Sequence, residues 1–185
     1  MTDSPWTFGG SDGQLTVKTH VTGRASRLGH RLTIAMTSWT ATVTWAADEP
    51  ATVDLSVDVD SLEVVRGEGG VTPLSGAEKA LARSNALKTL GAERFPTIRF
   101  RADEVVAADG GYRLSGTLEI RGKDRPQTVE LRVEDLGDEW RLSCDVQVRQ
   151  SEFGIKPYSM FIGAMKVADE VTVSFTGCRA KNRSA

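Results

Sequence analysis

The sequence contains only two cysteines and two histidines in 185 residues. Cys144 and Cys178 lie far apart and fit neither a zinc spacing nor a CxxC redox pair. They are expected to be reduced, as small side chains on strands. His20 and His30 have no third ligand at helix or hairpin spacing, so no metal site is predicted. No nucleophile motif accompanies them, so the chain is not expected to be an enzyme, and no cofactor is expected. The glycine-rich Gly67-Glu68-Gly69-Gly70 lacks the GxxxxGK[ST] pattern and is assigned to a polar loop, not a phosphate-binding one.

Charge of one sign is also missing. The 23 basic and 25 acidic residues are scattered, giving a net charge of −2 and a pI near 5.8. No basic run tracks phosphates, so a nucleic-acid partner is not expected. No stretch approaches the roughly 20 apolar residues that span a bilayer. The start, Met1-Thr2-Asp3-Ser4-Pro5-Trp6, has no basic segment, apolar run or small-residue cleavage site. The expected location is cytoplasmic.

What the sequence has in quantity is period-two alternation. Val53, Leu55, Val57 and Val59 alternate with Thr52, Asp54, Ser56, Asp58 and Asp60. On a helix these apolar residues would spread around the cylinder; on a strand they share one face. One packed face and one wet face are typical of antiparallel sheets. Leu15, Val17, Thr19 and Val21 repeat the pattern, as do Leu32, Ile34 and Met36. The phase then switches to Trp39, Ala41, Val43 and Trp45, which predicts a bulge or sharp bend near Thr37-Ser38. Such bends let a sheet curl and close. Later strands carry Ile98 and Phe100; Tyr112, Leu114, Leu118 and Ile120, with Gly116 read as a bulge; Val129, Leu131 and Val133; Trp140 to Val148; and Val171 to Phe175.

Turn chemistry separates these runs at Asp48-Glu49-Pro50, Asp109-Gly110-Gly111, Gly122 to Pro126 and Leu136-Gly137-Asp138. One segment differs. Ser75 to Leu90 is rich in helix formers, opens with a Ser75/Glu78 capping box and is followed by Gly91 at the C-cap position. The reading is an all-β, antiparallel barrel of about eight strands with one α-helix covering an end, forming a single domain over 1–185. Its core spans about 13–177, and 179–185 is a polar tail.

The order of motifs adds a resemblance. Phe95-Pro96-Thr97-Ile98-Arg99-Phe100 follows the helix, then Gly116-Thr117-Leu118-Glu119-Ile120-Arg121-Gly122, Phe153-Gly154-Ile155, and Val167-Ala168-Asp169-Glu170-Val171. This order resembles the YceI family, the lipocalin-like polyisoprenoid-binding proteins, over roughly residues 13 to 177. Where many members carry "VKH", this chain has Val17-Lys18-Thr19-His20, and with Gly29-His30 following it looks closer to members that have a "GH" step and no leader. The resemblance implies a barrel holding a long apolar ligand: a polyisoprenoid, an isoprenoid quinone or a fatty acyl amide.

Candidate ligand-lining residues follow from the inward faces: Val17, Ile34, Met36, Val57, Phe100, Leu118, Leu131 and Val146. Periodicity alone does not distinguish a filled core from a cavity; the resemblance implies the cavity. The richest apolar stretch contains Phe153, Tyr158, Phe161 and Met165, interrupted by Gly154, Pro157 and Gly163. It is read as a pliable loop at the barrel mouth that lines a lipid tunnel. The alternatives are a loop tucked into the core and a homodimer contact, in which case the protein is a structural or interaction module. His30 is assigned to a turn, where it bonds a backbone group or a ligand head group.

Overall fold

The computed structural model describes residues 4–181. Its strands are β1 (Trp6–Gly9), β2 (Gly13–Lys18), β3 (Val21–Thr22), β4 (His30–Met36), β5 (Trp39–Ala46), β6 (Glu49–Asp58) and β7 (Leu62–Gly69). Helix α1 (Gly76–Leu90) follows. Then come β8 (Thr97–Ala108), β9 (Gly111–Ile120), β10 (Lys123–Asp135), β11 (Glu139–Arg149), β12 (Ser159–Met160), β13 (Met165–Val167) and β14 (Glu170–Ala180).

Eleven strands form one antiparallel sheet in the order β1-β5-β6-β8-β9-β10-β11-β14-β2-β4-β7. It curls because three chain segments bend. β4 runs into β5 through Thr37-Ser38, and β6 runs into β7 through a short turn at Val59–Ser61. β5 pairs with β6, whereas β4 pairs with β7. The ladder continues through the corner: the Thr37 amide donates to the Ser61 carbonyl at 3.3 Å and the Asp58 amide to the Ser38 carbonyl at 2.9 Å. β1 and β2 follow the same corner, pairing with β5 and β4 respectively. Counting each bent pair as one stave, the ring is β1/β2, β5/β4, β6/β7, β8, β9, β10, β11 and β14, which returns to β2. The number of separate strands thus exceeds the expected eight, while the antiparallel barrel architecture holds. The predicted phase change is the corner itself.

Several details depart from the sequence reading. Val59, expected to continue its strand, lies in the β6–β7 turn and is buried there. No bulge sits in β9; the extra residue is Asp103 in β8, where the register shifts between Ala102 and Glu104. Gly116 instead marks a close approach, since a Cβ there would meet the Arg101 carbonyl oxygen at 2.0 Å. The β9–β10 turn needs only Arg121 and Gly122, both at positive φ, and Pro126 lies within β10 opposite Thr117. Glu49 and Pro50 begin β6 and are not part of the turn. β7 extends through Gly67 to Gly69, so only Gly70 of that glycine-rich run is loop. Arg179 and Ala180, assigned to the tail, complete β14; the rest of the tail beyond Lys181 lies outside the described residues.

The wall is not uniform. β10 pairs with β11 only from Arg132 to Asp135, so its first half has no strand on that side among the described residues. Phe153 and Ile155, from the turn after β11, fill the core there at 2% and 4% exposure. The free stretch of β10 is where Pro126, which lacks an amide hydrogen, is tolerated.

Helix α1 forms as its sequence signals require. The Ser75 side chain accepts from the Glu78 amide, Glu78 accepts from the Ser75 amide at 2.7 Å, and Gly91 closes the helix in the left-handed conformation. It lies beside β7, whose outer edge has no strand partner among the described residues. Lys79 donates to the Val65 carbonyl, and Arg83 to the carbonyls of Leu62 and Asp60. The helix thus protects an edge that would otherwise recruit another strand.

Candidate functional site

The barrel is hollow. Its interior holds a cavity of about 540 Å³, within the range of small-molecule sites. The wall contributes Val17 from β2, Ile34 and Met36 from β4, Val57 from β6, Phe100 from β8, Leu118 from β9, Leu131 from β10 and Val146 from β11. Every one of these inward positions was legible from alternation. Phe153, Tyr158, Met165 and His30 also line it. The side chain of Phe161 lies outside the described residues.

Sequence reading missed a second group of lining residues. Leu81, Ala82, Asn85, Ala86 and Thr89 of α1 close one end of the cavity. Positions 82, 85, 86 and 89 are three and four apart and share one helix face. The signal was weak because that face carries small and polar residues, not large apolar ones. Trp39 and Phe8 line the interior as well, and Trp39 packs edge-on to Phe175 with ring centroids 5.6 Å apart.

Most polar groups in the lining are already engaged. Thr19 Oγ1 accepts from the Leu32 amide at 3.1 Å. Gln127 and Gln150 donate to the carbonyls of Thr128 and Ala168. His30 Nε2 lies 2.8 Å from the Thr72 carbonyl, so that nitrogen carries the hydrogen. His30 is the first residue of β4, not a turn residue. Its ring packs beneath Gly70, where a Cβ would meet Nε2 at 2.4 Å. Cys144 faces the interior from β11, and burial pushes its thiol up to about 11. Among the described residues, no group of three or more His, Cys, Asp or Glu is placed to hold a metal ion.

The loop read as pliable divides in two. Phe153 and Ile155 are core. Residues 158–167 form a small flap: β12 pairs with β13, and β13 with β3. The Ala25 amide donates to the Ala164 carbonyl at 2.9 Å, and the Ala168 amide to the His20 carbonyl at 2.8 Å. Tyr158, Met160 and Met165 bring this flap to the cavity, whose lining here also includes Leu74, Glu78 and Leu81. Tyr158, Met160 and Leu81 are exposed, so the cavity reaches solvent between the flap and α1.

Comparison with known proteins agrees with this geometry. A family model described as the YceI-like domain matches residues 7–177. The crystal structure of Burkholderia cenocepacia BcnA superposes with a TM-score of 0.67 at 18% identity, covering 91% of this chain and 96% of that one. A Campylobacter jejuni YCEI protein superposes with a TM-score of 0.61 at 11% identity, covering 81% of this chain and 85% of that one. No protein of curated function matches the chain.

Proposed function

Because the chain belongs to the YceI-like domain family, we propose that it binds a long apolar molecule inside the barrel and carries or sequesters it without catalysing a reaction. The observation that carries this reading is the cavity of about 540 Å³ walled almost wholly by aliphatic and aromatic side chains. Each CH₂ group moved from water into such a wall contributes about 0.8 kcal/mol, so an extended hydrocarbon binds tightly with no charged contact. A polyprenyl chain, an isoprenoid quinone or a fatty acyl amide each satisfies that requirement. Asn85 and Thr89 have polar side chains at the cavity with no hydrogen bond to the described protein. They suit a ligand with a neutral carbonyl or hydroxyl near one end. The free thiols Cys144 and Cys178 on neighbouring strands fit a reducing, cytoplasmic compartment.

Native mass spectrometry of gently purified protein should show an adduct of hydrocarbon character. A soluble apolar fluorophore should enter protein stripped of that adduct and be displaced by it. Absence of both adduct and uptake overturns the proposal.

A homodimer through residues 153–165 is the second reading. The exposed Tyr158, Met160 and Ile162 favour it, while Phe153 and Ile155 are turned inward and unavailable. Serine at Phe161 and Met165 should then lower the mass measured by light scattering; an unchanged mass argues against the dimer.

A further inference from the structure

Residues 18–31 contain Lys18, Arg24, Arg27 and Arg31, and residues 153–168 contain Lys156 and Lys166; neither segment contains an Asp or Glu. On a chain of net charge −2, this is a strong local excess of positive charge. The two segments are far apart in sequence but are joined by the β3–β13 pairing and the Ala25–Ala164 hydrogen bond. The loop after β7 joins the same face through the bond between His30 and the Thr72 carbonyl. All six cations are exposed.

Apart from the exposed Glu152, the acids nearby are engaged. Glu68 pairs with Arg31 and Arg66. Glu78 is held in the capping box of α1. Asp169 accepts from Ser151.

The same face carries exposed apolar side chains. Leu28 precedes β4, Val71 lies in the loop after β7, and Ile162 tips the flap. Ile162 is fully exposed and adopts φ 53°, ψ 41°, a left-handed conformation that is a genuine outlier for a β-branched residue. A large apolar residue held out into water at a conformational cost is a feature seen at functional sites.

We infer that the mouth of the barrel docks onto an anionic lipid bilayer, with Ile162, Leu28 and Val71 entering the interface and Arg24, Arg27, Lys156 and Lys166 meeting the phosphates. Apolar anchors ringed by cations are the pairing that peripheral membrane surfaces use. A nucleic acid has no use for the projecting isoleucine, and a protein partner gives no reason for two juxtaposed segments that both lack Asp and Glu. The docked face surrounds the cavity opening, so an apolar ligand passes between bilayer and barrel without crossing water. The purpose of the docking rests on the carrier reading; its geometry does not.

Cosedimentation with phosphatidylcholine vesicles, with or without phosphatidylglycerol, tests this. Binding is expected only with phosphatidylglycerol, and it should weaken as salt shortens the Debye length from about 30 Å at 0.01 M to about 8 Å at 0.15 M. Each substituted cation should lose about fivefold in partitioning, so Lys156→Glu with Lys166→Glu should abolish sedimentation. Ile162→Ser should weaken it at every salt concentration. Arg99→Glu on the outer barrel wall should leave it unchanged. No sedimentation at low salt, or an equal loss from Arg99→Glu, overturns the inference; so does retention of an oligonucleotide in place of vesicles. Fluorophore uptake without vesicles separates the two claims. Mouth variants that fill normally but do not sediment support docking, whereas wild type that sediments but never fills rejects the carrier reading alone.

Discussion

Two neighbouring pieces of one apolar stretch behave in opposite ways. Phe153 and Ile155 plug the gap between β10 and β11 and are almost fully buried. A few residues later, Tyr158 and Met160 are more than a third exposed, and Ile162 is wholly so. Side-chain chemistry does not separate them. What separates them is backbone support: the first pair follows directly from β11 into the wall, while the second rides on a flap held by two-residue ladders. Apolar content near a cavity therefore has two meanings, one holding the fold and one left free for a partner.

The largest effect expected from that contrast is on stability. Phe153→Ala should cost about 3–5 kcal/mol, the usual penalty for emptying a buried aromatic site. Ile162→Ser removes only solvent-exposed surface and replaces a β-branched residue in the left-handed region, so it should not lower stability. Urea denaturation of both variants measures the difference, and equal midpoints would erase the distinction between plug and flap.

The next effect sharpens the contrast between wall and lumen. Cys144→Phe adds bulk into empty space, not into a packed layer. Its stability should change by less than the 1–3 kcal/mol typical of overpacking. Fluorophore uptake should fall by tenfold or more, which is about 1.4 kcal/mol or more of binding free energy. A variant that keeps full uptake would place the ligand elsewhere.

A smaller effect concerns the helix that closes the mouth. Ser75→Ala removes the N-cap and should cost about 1 kcal/mol, read as a lower urea midpoint. Hydrogen bonds from Ser75 hold the Glu78 carboxyl below its ordinary value. A depressed carboxylate contributes stability that is present above the unfolded pKa and lost as pH falls through the folded one. Helix protection in hydrogen exchange should therefore fade as pH drops below 4.5, the ordinary value. Glu78→Gln should flatten that profile; an unchanged profile would assign the acid sensitivity to another group.

How far the sequence alone reaches can be seen residue by residue. Val17, Ile34, Val57, Leu118 and Val146 were placed inward by alternation, because a strand has only two faces and one of them is polar. The corner at Thr37-Ser38 showed as a phase change. A second one was equally present, from Val57 and Val59 to Leu62 and Val64, and it marks the β6–β7 bend; the turn residues there are not Gly or Pro, so it did not stand out. The Asp103 bulge was misplaced onto Gly116, since a glycine opposite a bulge carries the visible signal while the bulge does not. The basic mouth was illegible for a different reason. The segments that carry Arg24 and Lys166 are joined only through strand pairing between β3 and β13, which sets Lys166 opposite Thr22, and scattered charges in a sequence contain no trace of that pairing.

At neutral pH the smallest effect belongs to the thiol inside the wall. Burial raises the Cys144 pKa to about 11, because a thiolate there would lose its hydration among aliphatic side chains. A folded pKa above the unfolded one, near 8.5 for a free cysteine, contributes stability that is fully present below the unfolded value. That contribution is lost as pH rises through about 11. Cys144→Ser should therefore unfold at a less strongly pH-dependent urea midpoint between about pH 9 and 11 than the wild type does. Iodoacetamide should modify Cys144 slowly at neutral pH and faster as pH approaches 11. A loaded apolar ligand should slow the reaction further at every pH, because it occupies the space the reagent must enter. Labelling that ignores both pH and ligand, followed by mass spectrometry of the Cys144 peptide, would show that the lumen is as wet as the flap.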